Sequence, residues 1–180
     1  MGEAIIAGVI SGIISSILVS CTLLLIKPRV SLSDEICMDP QKNVFQLKIV
    51  NRTRAALMDV KYTLHLCHRY KDGIIVMDPV EFCKSNVDSL PKYNKLDLDA
   101  HYAMRLAFPP KEEILTHQDD YLLFTLTAKH ATTGTIAFFS QEYQIRDIMC
   151  GKFETGTSTK ILVEQCSLSL VNCDMKCASK

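Results

Sequence analysis

The amino-terminal run at residues 4–26 contains 23 residues and no charged side chain. It ends abruptly at Lys27-Pro28-Arg29. Because a helix rises about 1.5 Å per residue, such a run reaches roughly 35 Å, enough to cross a hydrocarbon core of about 30 Å. The run therefore predicts a single transmembrane α-helix within residues 1–27.

Two kinds of cleavable signal are alternatives to a retained helix. A secretory signal has a basic start and an apolar core of about 7 to 15 residues, whereas Glu3 is the only charge ahead of this run. Leu18-Val19-Ser20-Cys21 resembles the cleavage site of a lipoprotein, but apolar residues continue from there to Ile26. Length and flanking charge favour the retained helix over both signals.

The charges after the run predict its orientation. Lys27 and Arg29 follow it directly, and basic loops tend to stay in the cytoplasm. We therefore expect a single-pass protein of the cell membrane, with the bulk of its chain in the cytoplasm and membrane lipid in contact with Lys27 and Arg29. The eight cysteines lack the tight paired spacing of a disulfide scaffold, which predicts free thiols in a reducing compartment.

Small residues recur at every fourth position within the run. Gly8, Gly12 and Ser16 form the centre of this stripe, and Ala4 and Ser20 extend it. Such spacing lines one helical face with side chains small enough for two helices to touch. It predicts self-association of the chain through Gly8, Gly12 and Ser16, although glycine and serine are common in membrane helices in general.

Residues 28–163 are predicted to form one all-β domain, and residues 164–180 a tail that contains three cysteines. Apolar residues alternate with a period of two at residues 45–49, 58–66, 122–128 and 136–143. In the first of these segments, Gln46 and Lys48 fall on the polar face. Gly134 is expected to close a hairpin, and residues 78–99 read as a loop with at most one helical turn. Strands of this kind without a long amphipathic helix predict an immunoglobulin-like antiparallel β-sandwich.

Charge and motifs exclude several classes of function. The chain has 20 basic and 20 acidic residues, so it has no bulk field for nucleic acid. The nucleophile, zinc-protease and phosphate-loop motifs are absent, so we expect no enzyme and no cofactor. His65 and Cys67 share a strand face and could supply two metal ligands, but no further ligand has a signature spacing. Asp97 and Asp99 read as solvated turn residues.

Two blocks of the sequence resemble the cytoplasmic domain of inward-rectifier potassium channels. The first block, residues 47–54 and 60–66, has the order of an apolar strand, an asparagine, a basic turn and a second strand. The second block is similar in its strand at residues 123–129, its Thr133-Gly134 turn and its Ile-x-x-Gly-x-Phe stretch within residues 147–153. The order of these motifs carries the resemblance, which covers roughly residues 27 to 160.

The resemblance implies an immunoglobulin-like domain that assembles as a tetramer beneath the membrane. It also implies recognition of anionic lipid at the basic link, here Lys27 and Arg29, with Lys152 a more distant candidate. A potassium filter with a Thr-x-Gly-Tyr-Gly sequence is missing, so the chain cannot be a potassium channel by itself.

Taken together, these patterns predict a membrane-anchored, non-enzymatic interaction or sensor protein. It is expected to form a homo-oligomer and to have a further membrane protein as partner. The alternative is an oligomeric membrane-perturbing effector or pore-forming toxin, in which the associated helices themselves leak ions.

Overall fold

The computed structural model describes residues 2–70, 72–83, 87–97, 99–110 and 120–163. In this part of the chain, one α-helix, α1 (Gly2–Leu25), precedes the strands of a β domain. The predicted tail at residues 164–180, with Cys166, Cys173 and Cys177, lies outside the described residues.

Helix α1 begins at Gly2 and ends at Leu25, so the uncharged run is helical over nearly its whole length. The predicted helix is thereby confirmed as a helix. Its described side chains are those of Ile5, Ile6 and residues 8–21, and all of them are exposed. A helix both long and apolar enough to cross a membrane is not found among the described residues.

The β domain consists of short and medium strands joined mostly by tight turns. They are β1 (Val30–Leu32), β2 (Ile36–Asp39), β3 (Val44–Asn51), β4 (Leu57–Arg69), β5 (Ile75–Pro79), β6 (Val87–Leu90), β7 (Ala103–Phe108), β8 (Tyr121–His130), β9 (Ile136–Gln144), β10 (Ile148–Phe153) and β11 (Ile161–Val163). A 3₁₀ turn at Ile145–Asp147 connects β9 to β10.

The strands form two sheets. In the six-stranded sheet, β1 and β2 pair with different parts of β3 along one edge, β7 pairs with β3 along the other edge, and β10 and β11 follow β2 in that order. The five-stranded sheet has the order β5-β4-β8-β9, and β6 pairs with the first part of β4. The described pairs are antiparallel except for β2 and β10, which run parallel. The prediction of an all-β domain with antiparallel sheets is therefore confirmed, apart from this one pair.

One apolar core lies between the two sheets. Alternate residues of β3, β4 and β8 supply it, among them Leu47, Leu64 and Phe124, each at most 1% exposed. Phe82, which lies outside the strands, adds edge-on ring contacts, with its centroid 5.0 Å from that of Tyr62 and 6.2 Å from that of Phe124. Part of the segment predicted as a loop thus closes the core, because an aromatic ring there fills the space between the sheets.

Three details of the sequence interpretation are wrong. β6 lies within residues 78–99, which were expected to be a loop. Gln46 and Lys48, assigned to a polar face, are only 7% and 2% exposed. Nε2 of Gln46 donates to Oδ2 of Asp39 at 3.4 Å, and Nζ of Lys48 donates to the carbonyls of Glu154 and Ser158, which cover the second face of β3 there. Cys150 is disulfide-bonded, whereas free thiols were expected throughout.

Candidate functional site

The link between α1 and β1 is fastened to the turn that follows β3. The backbone N–H of Arg29 donates to Oγ1 of Thr53 at 2.8 Å, and that hydroxyl donates back to the carbonyl of Arg29 at 3.2 Å. The backbone N–H of Arg52 donates to the same carbonyl at 2.8 Å. Pro28 is buried, and its ring fixes one backbone angle of the link. The chain therefore follows a defined path from the helix into the sheet.

The buried side chain of Asn51 forms hydrogen bonds that stabilise this turn. It is fully buried at the end of β3. Its Nδ2 donates to the carbonyls of Ala55 at 3.0 Å and Pro91 at 2.8 Å, and its Oδ1 accepts from the backbone N–H of Thr53 at 2.8 Å. Buried polar groups need such partners. The asparagine that carries part of the resemblance thus has a structural role here, as the centre of a hydrogen-bonded turn.

The tip of the β8–β9 hairpin contacts the end of α1. Oγ1 of Thr135 donates to the carbonyl of Ile26 at 2.9 Å, and Oγ1 of Thr133 does so at 3.4 Å. Carbonyl groups at the end of a helix have no partner within it, so these hydroxyls satisfy one of them. Gly134, with φ of +70°, closes the predicted hairpin turn. Helix, link and hairpin therefore meet at one place, called the junction below.

The junction carries exposed basic residues on two hydrogen-bonded segments. Lys27 and Arg29, which the sequence singled out, are both exposed. Arg52 and Arg54, on the turn bonded to Arg29, are exposed as well. In the sequence this second pair was noted only as the basic turn within residues 47–54, and its position beside Lys27 and Arg29 was not predicted. Lys152, the distant candidate, lies in β10 opposite Leu162 of β11.

The small-residue stripe of α1 is open along its described part. An added Cβ at Gly8 or Gly12 would meet no atom within 4 Å. Ser16 is also exposed, and its Oγ donates to the carbonyl of Gly12 at 2.9 Å. The hydroxyl is therefore satisfied within the helix, and the space beside the two glycines is open at the position of a Cβ.

A second cluster of cations lies on the outer face of the six-stranded sheet. Lys48, 2% exposed, donates through Nζ to the carbonyls of Glu154 and Ser158, the latter at 2.7 Å. Arg52 and Arg105 donate to the carbonyls of Thr157 and Phe153, both at 3.0 Å. These side chains fasten the end of β10 and the segment after it to β3, to the turn after β3 and to β7. Because every one of these bonds ends on a backbone carbonyl, the cluster is a structural clamp.

Replacing Lys48 by methionine is expected to change the pH dependence of stability. Burial, reinforced by Arg105 and opposed by Glu154, lowers the pKa of Lys48 from 10.5 to about 8. The unfolded state then binds more protons than the folded state between about pH 8 and 10.5, so the contribution of Lys48 to stability rises with pH there. Between pH 7 and 9 the wild-type free energy of unfolding should gain about 1 kcal/mol relative to Lys48→Met.

Denaturant unfolding at the two pH values measures this gain. Lys61→Met is the matched control, since it removes an exposed lysine and leaves Lys48 in place. That control should keep the wild-type gain. Equal pH dependence of the wild type and Lys48→Met would show that the ammonium of Lys48 is not held in a desolvated position.

Polar clusters elsewhere differ from the candidates in the sequence. His68, rather than His65, meets carboxylates, with Nδ1 at 2.8 Å from Oδ2 of Asp120 and Nε2 at 3.4 Å from Oδ2 of Asp78. Cys67 is fully buried between the two histidines. Sequence reasoning missed the grouping because its members come from three strands or their ends.

Asp97 and Asp99 do lie on a loop, together with His101. Ligand atoms of the three residues lie within 4.8 Å of one another, and two of the residues are exposed. The carboxylate of Asp97 accepts from the backbone N–H of His101 at 3.0 Å. The arrangement is that of a hydrogen-bonded turn, as the sequence suggested for the two aspartates.

Comparison with known proteins adds no relative, since neither a protein-family model nor a curated protein matches the chain. The resemblance to inward-rectifier cytoplasmic domains stays a prediction that rests on its motifs. In the structure, Asn51 ends β3, Gly134 closes the β8–β9 hairpin and Gly151 lies in β10. Two of the three, Asn51 and Gly134, lie at or beside the junction.

Proposed function

We propose that the chain is a single-pass membrane protein in which α1 anchors a non-enzymatic β domain that acts as an interaction or sensor module. The observation that carries this proposal is α1 itself. Nine large apolar side chains between Ile5 and Val19 are 52–67% exposed, and the run at residues 4–26 has no charge on any face. A helix that is uncharged all round needs an apolar environment, which a bilayer provides.

The junction supports a position of the β domain close to the membrane surface. Lys27 and Arg29 directly follow the helix and are exposed. Near an anionic leaflet, each basic residue contributes about 1 kcal/mol of attraction. Two hydrogen bonds restrict movement of the β domain relative to the helix: one from Arg29 to the turn after β3, and one from Thr135 to Ile26. Membrane lipid is therefore the first proposed partner.

Two observations oppose each other on the orientation. Lys27 and Arg29 favour a β domain on the cytoplasmic side, which is the orientation we propose. The disulfide at Cys150 is typical of oxidising compartments instead. Protease digestion of sealed vesicles of known sidedness tests the proposal, since a cytoplasmic domain is cleaved in inverted vesicles and protected in vesicles of native orientation. The reverse pattern would contradict it.

Self-association through α1 is the second part of the proposal. Gly8→Leu combined with Gly12→Leu should shift detergent-solubilised full-length protein from oligomers toward monomers, because the enlarged side chains keep two backbones apart. Cross-linking in membranes measures the same change. An added Cβ at either glycine meets no atom within 4 Å in the single chain, so we expect the fold of the chain itself to be kept.

The control for this pair is Ile6→Leu combined with Ile10→Leu, which alters the opposite side of the helix and should leave the oligomers intact. Strictly monomeric wild-type protein would contradict the self-association. If liposomes with the wild-type protein leak ions and liposomes with the glycine variant do not, the alternative of a pore-forming effector is favoured.

The most specific part of the proposal is that the β domain has an immunoglobulin-like layout and is related in fold to inward-rectifier cytoplasmic domains. Both features are supported by two facing sheets around one core and by the positions of Asn51 and Gly134. In such a module, a ligand of the β domain would act by favouring one packing of the helices over another. The basic link at Lys27 and Arg29 would then connect ligand binding by the β domain, and the change in helix packing, to the membrane surface.

A further inference from the structure

The outer face of the five-stranded sheet carries an apolar and basic patch beside the end of α1. Lys129 of β8 lies between Met58 of β4 and Ile136 of β9, directly opposite both. Two residues earlier in β8, Thr127 lies between Lys61 of β4 and Phe138 of β9. Residues directly opposite each other share a face of the sheet. The five side chains Met58, Lys61, Lys129, Ile136 and Phe138 are called the junction patch.

The apolar members of the patch are unusually exposed for a β domain. Ile136 is 73% exposed, Phe138 is 64% exposed and Met58 is 45% exposed. They lie on the side of the sheet away from the core, next to two exposed lysines. Lys129 also forms a long ion pair with Asp59 at 3.9 Å, an exposed contact of small energy. Clustered apolar side chains on a surface mark a site of contact.

The patch begins next to the end of α1. Thr135, which donates to the carbonyl of Ile26, is followed immediately by Ile136. Ile136 and Phe138 lie about 7 Å apart on one face of β9, so a single surface that runs along the strand can contact both. A surface that combines apolar side chains with lysines is also the kind that binds anionic lipid.

We propose that the junction patch lies in the headgroup layer of the membrane that α1 enters, with Ile136 and Phe138 inserted at the boundary with the acyl chains. This inference rests on the proposed function. The β domain is then held at the surface by two attachments, the helix and the patch, and it cannot rotate freely about the link. A lipid surface with negative charge is the partner that satisfies both the apolar and the basic members.

Tryptophan fluorescence tests this placement, because the chain contains no tryptophan of its own. Three single substitutions in the full-length protein are compared: Phe138→Trp in the patch, Ile13→Trp within α1, and Tyr70→Trp at the other end of β4. Each variant is reconstituted in vesicles of phosphatidylcholine and phosphatidylglycerol. Two further sets of vesicles contain lipids brominated either near the top of the acyl chains or near their ends, so that a side chain at either depth is detected.

Phe138→Trp should lose emission in brominated vesicles at least about twice as strongly as Tyr70→Trp, as expected for a side chain at the headgroup boundary. Tyr70 is the matched control, since it is an aromatic residue that is 57% exposed and lies past the end of β4 distant from Met58. Ile13→Trp reports on the anchor alone. A blue-shifted Phe138→Trp emission that brominated lipid does not quench would show that protein covers the patch.

The outcomes separate this inference from the proposed function. Quenching of Ile13→Trp without quenching of Phe138→Trp overturns the patch and leaves the anchor intact. Absence of quenching at Ile13→Trp overturns the anchor, and the patch with it. Quenching at positions 13 and 138 but not at position 70 is the result that supports both.

Discussion

Asn51→Asp is expected to lower the free energy of unfolding by about 3 to 5 kcal/mol, the cost of an unpaired charge in a buried site. The side chain keeps its shape, but Nδ2, which donates to the carbonyls of Ala55 and Pro91, becomes an oxygen. Oxygen would then face oxygen at 2.8 and 3.0 Å. Denaturant unfolding of the full-length protein in detergent, followed by circular dichroism, measures the loss.

Asn94→Asp is the matched control for this substitution. Asn94 is exposed, and its Oδ1 accepts from the backbone N–H of Leu96 at 3.1 Å, a role that a carboxylate fills equally well. The control should therefore unfold like the wild type. If Asn51→Asp were also neutral, the turn after β3 would not depend on the buried amide, and the account of the junction would fail.

The second large effect is expected for Gly151→Ala. Gly151 lies in β10 with φ of +150°, and an added Cβ would lie 2.0 Å from the carbonyl oxygen of Leu162 in the paired strand β11. Backbone atoms of a paired strand cannot move away without disturbing the pairing of β10 with β11. Backbone strain and steric overlap together should cost about 2 to 5 kcal/mol. Hydrogen exchange should show the loss first at the amides of β11.

Gly156→Ala separates the two causes. Gly156 also has a positive φ, of +77°, but nothing lies within 4 Å of an added Cβ. It should cost only about 1 to 2 kcal/mol, the price of a left-handed alanine. Equal losses in the two variants would mean that the contact between Gly151 and Leu162 is looser than the structure shows.

Alternation of apolar residues was sufficient to predict the central strands of the β domain. β4 and β8 bury most of their alternate residues against one core, and β9 alternates between exposed and less exposed residues, so a period of two appears directly in the sequence. β3 departs from this rule because both of its faces are covered, and Lys48 reads as solvated although its ammonium is bound to two carbonyls. β6 is short and only partly buried, which leaves almost no pattern to detect.

The junction could be predicted only in part. Lys27 and Arg29 were found because they end an uncharged run, a local signal. The contacts of the link with Thr53 and of Ile26 with Thr135 join residues 24 and 109 positions apart. Pairings over such separations depend on the topology of the sheets, which one sequence does not reveal. The junction patch was missed for the same reason, since its members come from three strands.

Anchoring of the chain in a bilayer by α1 is tested by extraction of membranes at alkaline pH. Membranes from cells that produce the full-length protein are washed with carbonate, and the chain is then quantified in the pellet and the supernatant. Because carbonate removes proteins held only by charge, an anchored chain should stay in the pellet, and Ile10→Arg combined with Ile14→Arg should release it. Recovery of the intact wild-type chain in the supernatant would contradict the account.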